Sequence, residues 1–386
     1  MALLTRTRPD PNAAPPKPKS KVREWGDSFL FAIIAATLIR WATFEAYTIP
    51  TPSMENSLLV GDYLFVSKLH YGPITPQTPL QVPLTHQTLW GTGLKSYSDA
   101  IQLPTYRLPG FSSVKNNDVV VFHVPFEDQY PADLRTNYIK RCIGIAGDEL
   151  QIKEGQVYIN GKVAPAPAQL QSSYFFRVAS PNDETGQVLK AKGVVDYNQP
   201  NGEPQAQAVP EYNGLGYLVS CTAATADYFR HQPFVQEVVE TKPEVTLFPT
   251  VVDFPNPSKI SAKPTNWVLD NFGPLPIPKK GQTVTLTEAN AGIYYKIIAK
   301  YEHNPNITWK DGLIYQDGKV LTSYTVRQNY YLMMGDNRHN SEDSRFWGFV
   351  PEDHIVGKAV LIWLSVDPYA SFFNKIRWSR LFHTIN

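Results

Sequence analysis

Three short stretches of this 386-residue chain bring together side chains that can do chemistry. In the first, Tyr47-Thr-Ile-Pro-Thr-Pro-Ser-Met-Glu-Asn-Ser-Leu-Leu-Val-Gly-Asp62, prolines 50 and 52 fix φ on alternate residues and hold the segment extended. Ser53 therefore stands on a stiff backbone, where it can serve as a nucleophile or simply be a loop serine. In the second, Asn137-Tyr-Ile-Lys-Arg-Cys-Ile-Gly-Ile-Ala-Gly-Asp-Glu149, Lys140 and Arg141 lie between the apolar residues Ile139 and Ile143. On a strand, neighbouring side chains point to opposite faces, so one of the two can turn inward without the other. A buried lysine loses its charged form to desolvation and can become a general base, once burial has brought it down from its free value of about 10.4. The alternative is an exposed pair guarding a sheet edge. The third stretch, Met334-Gly-Asp-Asn-Arg-His-Asn-Ser-Glu-Asp-Ser-Arg-Phe-Trp-Gly348, is dense in polar side chains yet flanked by strands and aromatics. It lacks the spacing of a calcium loop. Its short polar groups suit a structured loop that orients its neighbours, or a purely structural turn.

The elements that must position these groups read mostly as strands. Asp62–Val66 alternates, Asp118–Val124 is a β-branched run expected to be buried, and Tyr330–Met334 and Gly357–Leu364 follow the same logic. Asn160-Gly161 and Asp317-Gly318 mark hairpin turns. Glu288–Glu302 is the best soluble helix. Residues 163–280 are rich in Pro and Gln with weak periodicity and read as an accessory insertion, and residues 73–114 form another Pro-rich excursion. With 33 Pro and 23 Gly set against 21 Tyr and 19 Phe, long helices are disfavoured and a loop-rich, mostly β fold is expected.

The N-terminus bears on the compartment. Arg6, Arg8, Lys17, Lys19, Lys21 and Arg23 precede an apolar run, Phe29–Ile39, that is broken by Arg40 and resumes at Trp41–Phe44. A helix from Trp25 to Tyr47 would span about 34 Å, enough to cross a bilayer, with Trp25, Trp41 and Tyr47 at the interfaces. A cleaved signal sequence is disfavoured by Arg40-Trp41 at the place where small residues are needed. A buried helix is the other alternative, since the unbroken run is short. In the anchor reading Arg40 snorkels to the far interface, and the preceding basic residues keep the N-terminus in the cytoplasm.

A net charge of +1 gives no field for a polyanion, so nucleic acid is not an expected partner. The two cysteines, Cys142 and Cys221, show no metal-ligand spacing, and no CxxC or HExxH occurs, so no metal or cofactor is expected. They can form a bridge only if the fold brings them together. The tail, Asn374–His383, is basic and aromatic and is suited either to an anionic lipid surface or to packing on the core.

Taken together, the segments resemble the bacterial type I signal peptidases, membrane-anchored serine proteases with a Ser-Lys dyad. The resemblance rests on Pro50-Thr-Pro-Ser-Met54 after the apolar segment, Gly61-Asp62, Asn117–Phe122, Tyr138-Ile-Lys-Arg141 with Gly144 and Gly147-Asp148, and Gly335-Asp-Asn-Arg338 with Asn340-Ser341 and Asp343-Ser-Arg345. It covers roughly residues 25–162 and 313–365. It implies Ser53 as nucleophile and Lys140 as general base. Thr51 would aid the oxyanion beside the Ser53 N–H, and Ser341 would orient the lysine. Asp343–Arg345 and Arg141–Asp336 would form bracing ion pairs, and Tyr47, Ile49 and Ile139 would line small-residue pockets. This chain departs from the family at Glu55-Asn-Ser57, where Pro and Thr are usual, at Pro52 in place of Gly, and at His339 in place of Asp. No departure removes a catalytic group. His339, the one histidine of the polar stretch, is read as a loop residue.

The implied substrates are the signal peptides of secretory pre-proteins, cut after Ala-x-Ala. The implied site is the inner membrane, single-pass, with the catalytic domain on the outer, periplasmic side. The expected organisation is a cytoplasmic basic tail (1–24), a transmembrane anchor (25–46), an antiparallel β catalytic core in two parts (47–162 and 313–365), an inserted accessory region (163–312), and a tail (366–386). A silent β domain that merely binds exported chains gives no reason for Ser53, Lys140 and Ser341 to occur together. A penicillin-binding relative would need Ser-x-x-Lys, and Asn56 stands at that lysine position.

Overall fold

The computed structural model describes residues 20–179, 183–199, 201–212, 214–243, 245, 247–249 and 266–385. The expected basic tail thus lies largely outside the described residues. Helix α1 (Lys21–Ala42) leads into strands β1 (Phe44–Thr48), β2 (Asp62–Ser67), β3 (Val119–His123) and β4 (Asn137–Gly144). There follow β5 (Glu149–Lys153), β6 (Gln156–Ile159), β7 (Lys162–Val163), β8 (Gln171–Val178), α2 (Asp183–Ala191), β9 (Gln207–Val209), β10 (Gly214–Thr222), α3 (Ala223–Arg230) and β11 (Val235–Glu240). The chain continues with β12 (Phe272–Pro276), β13 (Thr283–Thr285), α4 (Ala291–Lys296), β14 (Ile307–Lys310), β15 (Leu313–Gln316), β16 (Lys319–Val320) and β17 (Ser323–Thr325). It closes with β18 (Tyr330–Met334), α5 (Ser344–Trp347), β19 (Val350–Pro351), β20 (Ile355–Ser365) and β21 (His383–Thr384).

The main sheet runs β1-β2-β20-β3-β4-β18-β19, with β21 also on β20. Each step from β1 to β4 is antiparallel, so β1 and β4 point the same way. The β-branched run of β3 lies at the centre of this sheet and is almost wholly buried, as its composition predicts. Asn160 and Gly161 both take positive φ at the β6–β7 turn, and Asp317 and Gly318 do so at β15–β16; this is the primed-turn geometry that Asn-Gly and Asp-Gly favour. The helix expected at 288–302 is α4 followed by a π-type turn over Ile297–Tyr301, and its apolar face enters the largest core cluster.

α1 starts at a Ser20 cap and ends at Ala42, not near Tyr47. The apolar residues past Trp41 leave the helix because Phe44–Thr48 pairs residue for residue with Tyr63–Ser67, and that ladder satisfies their backbone. At about 1.5 Å per residue, α1 still spans about 33 Å. No residue of α1 is buried, although its last turns are half-buried, so among the described residues α1 does not pack as a core helix. By length and composition the helix is sufficient to cross a membrane. Arg40 pairs with Glu45, which also holds Lys68.

The insertion is more ordered than its proline content suggests. Strands β11-β8-β10-β9 form a separate antiparallel sheet, covered by α2 and α3 around Tyr174, Phe176, Leu189, Tyr217 and Phe229. Cys142 sits on β4 and Cys221 on β10, both buried and both free, so no bridge joins them. The tail packs on the main sheet. Arg380 grips the carboxylate of Asp62, Arg377 donates to Val60 O and Ser365 Oγ, and β21 extends the sheet.

Candidate active site

β1 delivers the chain to a 3-10 turn, Pro52–Met54, after Ile49 N–H has bonded to Asp62 O and Gly61 N–H to Ile49 O. Met54 and Leu58 are fully buried beside Ile49 and act as apolar pegs for the turn. From the other side Asn337 clamps it: its backbone N–H donates to Ser53 O (3.1 Å) and its side chain to Pro52 O (3.2 Å). Ser53 is consequently fixed and only 8% exposed.

Lys140 lies in mid-strand on β4, opposite Val120. Strand alternation separates it from Arg141, as expected, and Lys140 turns to the face that holds Ser53. Its Nζ is 2.6 Å from Ser53 Oγ, and the residue is 4% exposed. Burial pushes the Lys140 pKa down to about 8, against the opposing pull of Asp343, Glu342 and Asp336. Its charged form also meets the face of the Tyr138 ring, at 5.3 Å.

Arg141 faces away and holds Asp336 bidentately, Nε to Oδ1 at 2.9 Å and Nη2 to Oδ2 at 2.7 Å, while Nη1 donates to Asn117 O. Ser57 also donates to Asp336 (2.6 Å), tying the segment after Ser53 to the polar loop. Asp343 caps α5 and pairs with Arg345 through bonds of 2.9 and 2.8 Å. Burial alone would raise the Asp343 carboxyl, but Arg345 and the backbone N–H groups of Gly335 and Arg345 hold it below the usual range. Both expected ion pairs are thus present and buried.

Two expected groups stand differently. Ser341 is buried, and its Oγ has no hydrogen-bond partner, so the bond expected to orient Lys140 is not made in this structure. Its place is instead against Gly335, where an added Cβ would lie 2.3 Å from Ser341 Oγ and 2.4 Å from Ser53 O. Gly335→Ala is therefore expected to destabilise the fold by about 1–3 kcal/mol through overpacking, read as a lowered denaturant midpoint with an unchanged slope. Thr51 stands at the start of the 3-10 turn, exposed, and its hydroxyl makes no capping bond. Tyr47 and Ile139 pack against the apolar cluster that holds Ile49 and Met54, the residue after Ser53.

Several residues of the site carried no separate role in the sequence reading. Asn337 lies inside the Gly335–Arg338 stretch, so its position was visible and its clamp was not. Gln171 opens β8 and exchanges backbone bonds with Asp336 and Arg338, docking the insertion on the polar loop. His339 is a bolt between the same parts. Its Nδ1 accepts from Ser173 N–H, which leaves Nε2–H to donate to Asp270 (2.9 Å). Glu55, two residues after Ser53, is buried and receives the hydroxyl of Tyr197 from the insertion (2.6 Å); burial pushes its pKa up to about 7 in spite of that bond.

A family model described as signal peptidase, peptidase S26, matches residues 22–204 and 280–364. The unmatched stretch between them falls in the insertion. A signal peptidase I of Buchnera aphidicola subsp. Acyrthosiphon pisum is 26% identical over 341 residues, covering 88% of this chain and 74% of that protein. The signal peptidase I of Haemophilus influenzae is 23% identical over 375 residues, covering 96% of this chain and 77% of that protein. That of Rickettsia massiliae is 34% identical over 144 residues, 37% of this chain and 45% of that protein.

Proposed function

Since the chain belongs to the signal peptidase family, peptidase S26, and is a serine peptidase that removes signal peptides, we propose that it does so with Ser53 as nucleophile and Lys140 as general base, cutting after small residues of the Ala-x-Ala type. The observation that carries this reading is the 2.6 Å approach of the buried Lys140 amine to the Ser53 hydroxyl.

The substrate lies extended between β1 and β4, whose common direction gives it strand-like edges on both sides, and its small side chains meet the surface made by Tyr47, Ile49 and Ile139. Ser53 Oγ attacks the scissile carbonyl carbon as its proton passes to the neutral Lys140 amine. The Ser53 backbone N–H and the Thr51 hydroxyl receive the oxyanion. As the C–N bond breaks, the Lys140 ammonium protonates the departing amine, the new N-terminus of the mature protein. Lys140 then takes a proton from water, whose oxygen attacks the acyl-enzyme, and returns a proton to Ser53. Asp336–Arg141 and Asp343–Arg345 keep the polar loop, and with it Asn337, pressed on the Ser53 turn. Ser341, by resemblance the serine that orients the lysine, would have to turn from its place beside Gly335 to accept from Lys140.

A membrane setting follows from the same reading. α1 anchors the chain in the inner membrane, the basic residues before it stay cytoplasmic, and the catalytic domain faces the outer side. The tail adds three exposed aromatic side chains, Phe372, Phe373 and Trp378.

Two results test the reading. With the full chain in detergent, a secretory precursor carrying Ala at the last position before the cut is expected to be processed about 100-fold faster than the same precursor carrying Phe there, the scale expected of a pocket that admits only small side chains. Equal rates would remove the proposed specificity. In addition, kcat/KM is expected to rise with pH and level off above about 8, because the active form is the neutral amine. At pH 7.5 about a quarter of the Lys140 amines are neutral, against about one in a thousand for a free lysine. A profile still climbing at pH 10 would contradict a lowered lysine.

A further inference from the structure

Residues 73–94 contain no Asp, Glu, Lys or Arg, and between Leu80 and Phe111 ten large apolar side chains are exposed. Trp90 is 72% exposed and Leu94 66%. A soluble surface seldom gathers so many without a partner. Of the three charged residues in 73–111, Arg107 is turned inward, donating to Gly72 O, Glu352 O and Ile355 O.

The loop is also tied to α1. The Trp41 indole N–H donates to Ile74 O (2.7 Å). Leu84 and Leu103 line a cavity of about 960 Å³ together with Thr37 and Leu38. Thr37 lies five residues before the end of α1, about 7 Å back along the helix. The loop therefore stands alongside the last turns of the helix, not beyond them, at a level a bilayer-spanning α1 would place within the lipid interface. Its backbone is prepared for that environment. Val82 bonds to Ser96, Ser98 to Leu80 and Leu89 to Leu94, and the Gln81 side chain satisfies Thr85 O, so part of its backbone is paired within the loop.

We propose that residues 73–111 are a second membrane contact, inserting Leu80, Val82, Leu84, Trp90 and Leu94 into the boundary between headgroups and acyl chains beside the outer end of α1. The contact is apolar and needs no anionic lipid. It rests on α1 spanning the membrane and is independent of the chemistry at Ser53. By holding the foot of α1 against the sheet, it would fix the height of the catalytic face above the bilayer.

The test is a fluorescent label on an introduced cysteine in the full chain, reconstituted in phosphatidylcholine vesicles with or without spin-labelled lipid. Both native cysteines are buried and should stay unlabelled. Leu94→Cys reports on the loop, Ile34→Cys on α1, and Lys319→Cys on an exposed hairpin far along the chain. The loop label is expected to shift to the blue and to be quenched several-fold by lipid spin-labelled near the headgroup, equally at low and high salt. The Ile34→Cys label is expected to be quenched best by a deep spin label, and the Lys319→Cys label by neither. A loop label as wet as that at Lys319→Cys overturns the proposal even where the anchor holds. So does a blue-shifted label that lipid spin labels do not quench, which would indicate a protein occupant or a second copy. An unquenched Ile34→Cys label removes the membrane placement of α1, and the proposal with it.

Discussion

Ser53→Ala and Lys140→Met are each expected to lower precursor cleavage by about 10³–10⁴-fold or more, with the two changes together no worse than either alone. The reason is that the two groups form one unit. Without the hydroxyl no acyl bond can form, and without the amine the hydroxyl keeps its proton. Non-additivity separates this from two independent structural losses, which would multiply. The effects on stability should differ in sign. Ser53→Ala leaves a buried amine with one partner fewer and costs about 1–3 kcal/mol. Lys140→Met replaces a desolvated amine with an apolar side chain of similar length on a strand whose neighbours are largely buried, so unfolding should be unchanged or slightly harder. Purified variants in a detergent cleavage assay, with denaturant unfolding in parallel, give both readouts. Normal processing by either variant would end the dyad reading.

The second large effect is expected at Arg345. Asp343 and Arg345 are both about 1% exposed or less and are held by two charge-assisted bonds. Arg345→Met leaves the Asp343 carboxylate buried without its counter-charge, which costs about 3–5 kcal/mol. The loss propagates, since Arg345 also donates to Arg338 O, and Asp343 accepts from Gly335 N–H next to the Ser53 turn. Asp343→Asn added to Arg345→Met removes the orphaned charge and should recover part of the stability. If the double variant is as unstable as the sum of the single ones, the pair is not coupled, and the polar loop must be braced by something else. Cleavage should fall in both backgrounds, because Asn337 reaches the Ser53 turn only when this loop is in place.

Much of this was legible in residue order, for physical reasons. Alternation on a strand was enough to separate Lys140 from Arg141, and Pro50 and Pro52 to stiffen the approach to Ser53. Asn160-Gly161 and Asp317-Gly318 could turn only one way. What was missed depended on tertiary partners. The end of α1 was placed too late because Trp41–Phe44 is apolar enough for helix or strand, and only the partner strand Asp62–Ser67 decides between them. The insertion looked irregular because its prolines dominate its composition, although residues 217–222 alternate in burial, with Tyr217, Val219 and Cys221 inward. His339 is a loop residue, as the sequence suggests, but its partners Ser173 and Asp270 carry no local signal in the sequence. Ser341 was given a bond to Lys140 by resemblance, and the structure has its hydroxyl buried beside Gly335 without a partner.

The protonation of one amine is the premise of the proposed chemistry. It can be read by labelling the lysine ε-carbons with carbon-13 and following their resonances with pH in the detergent-solubilised chain, with Lys140→Met identifying the signal. The Lys140 resonance is expected to titrate near 8, well separated from the exposed lysines. A Lys140 signal that moves with the others near 10.5 would mean that the amine is charged at working pH and cannot take the proton of Ser53.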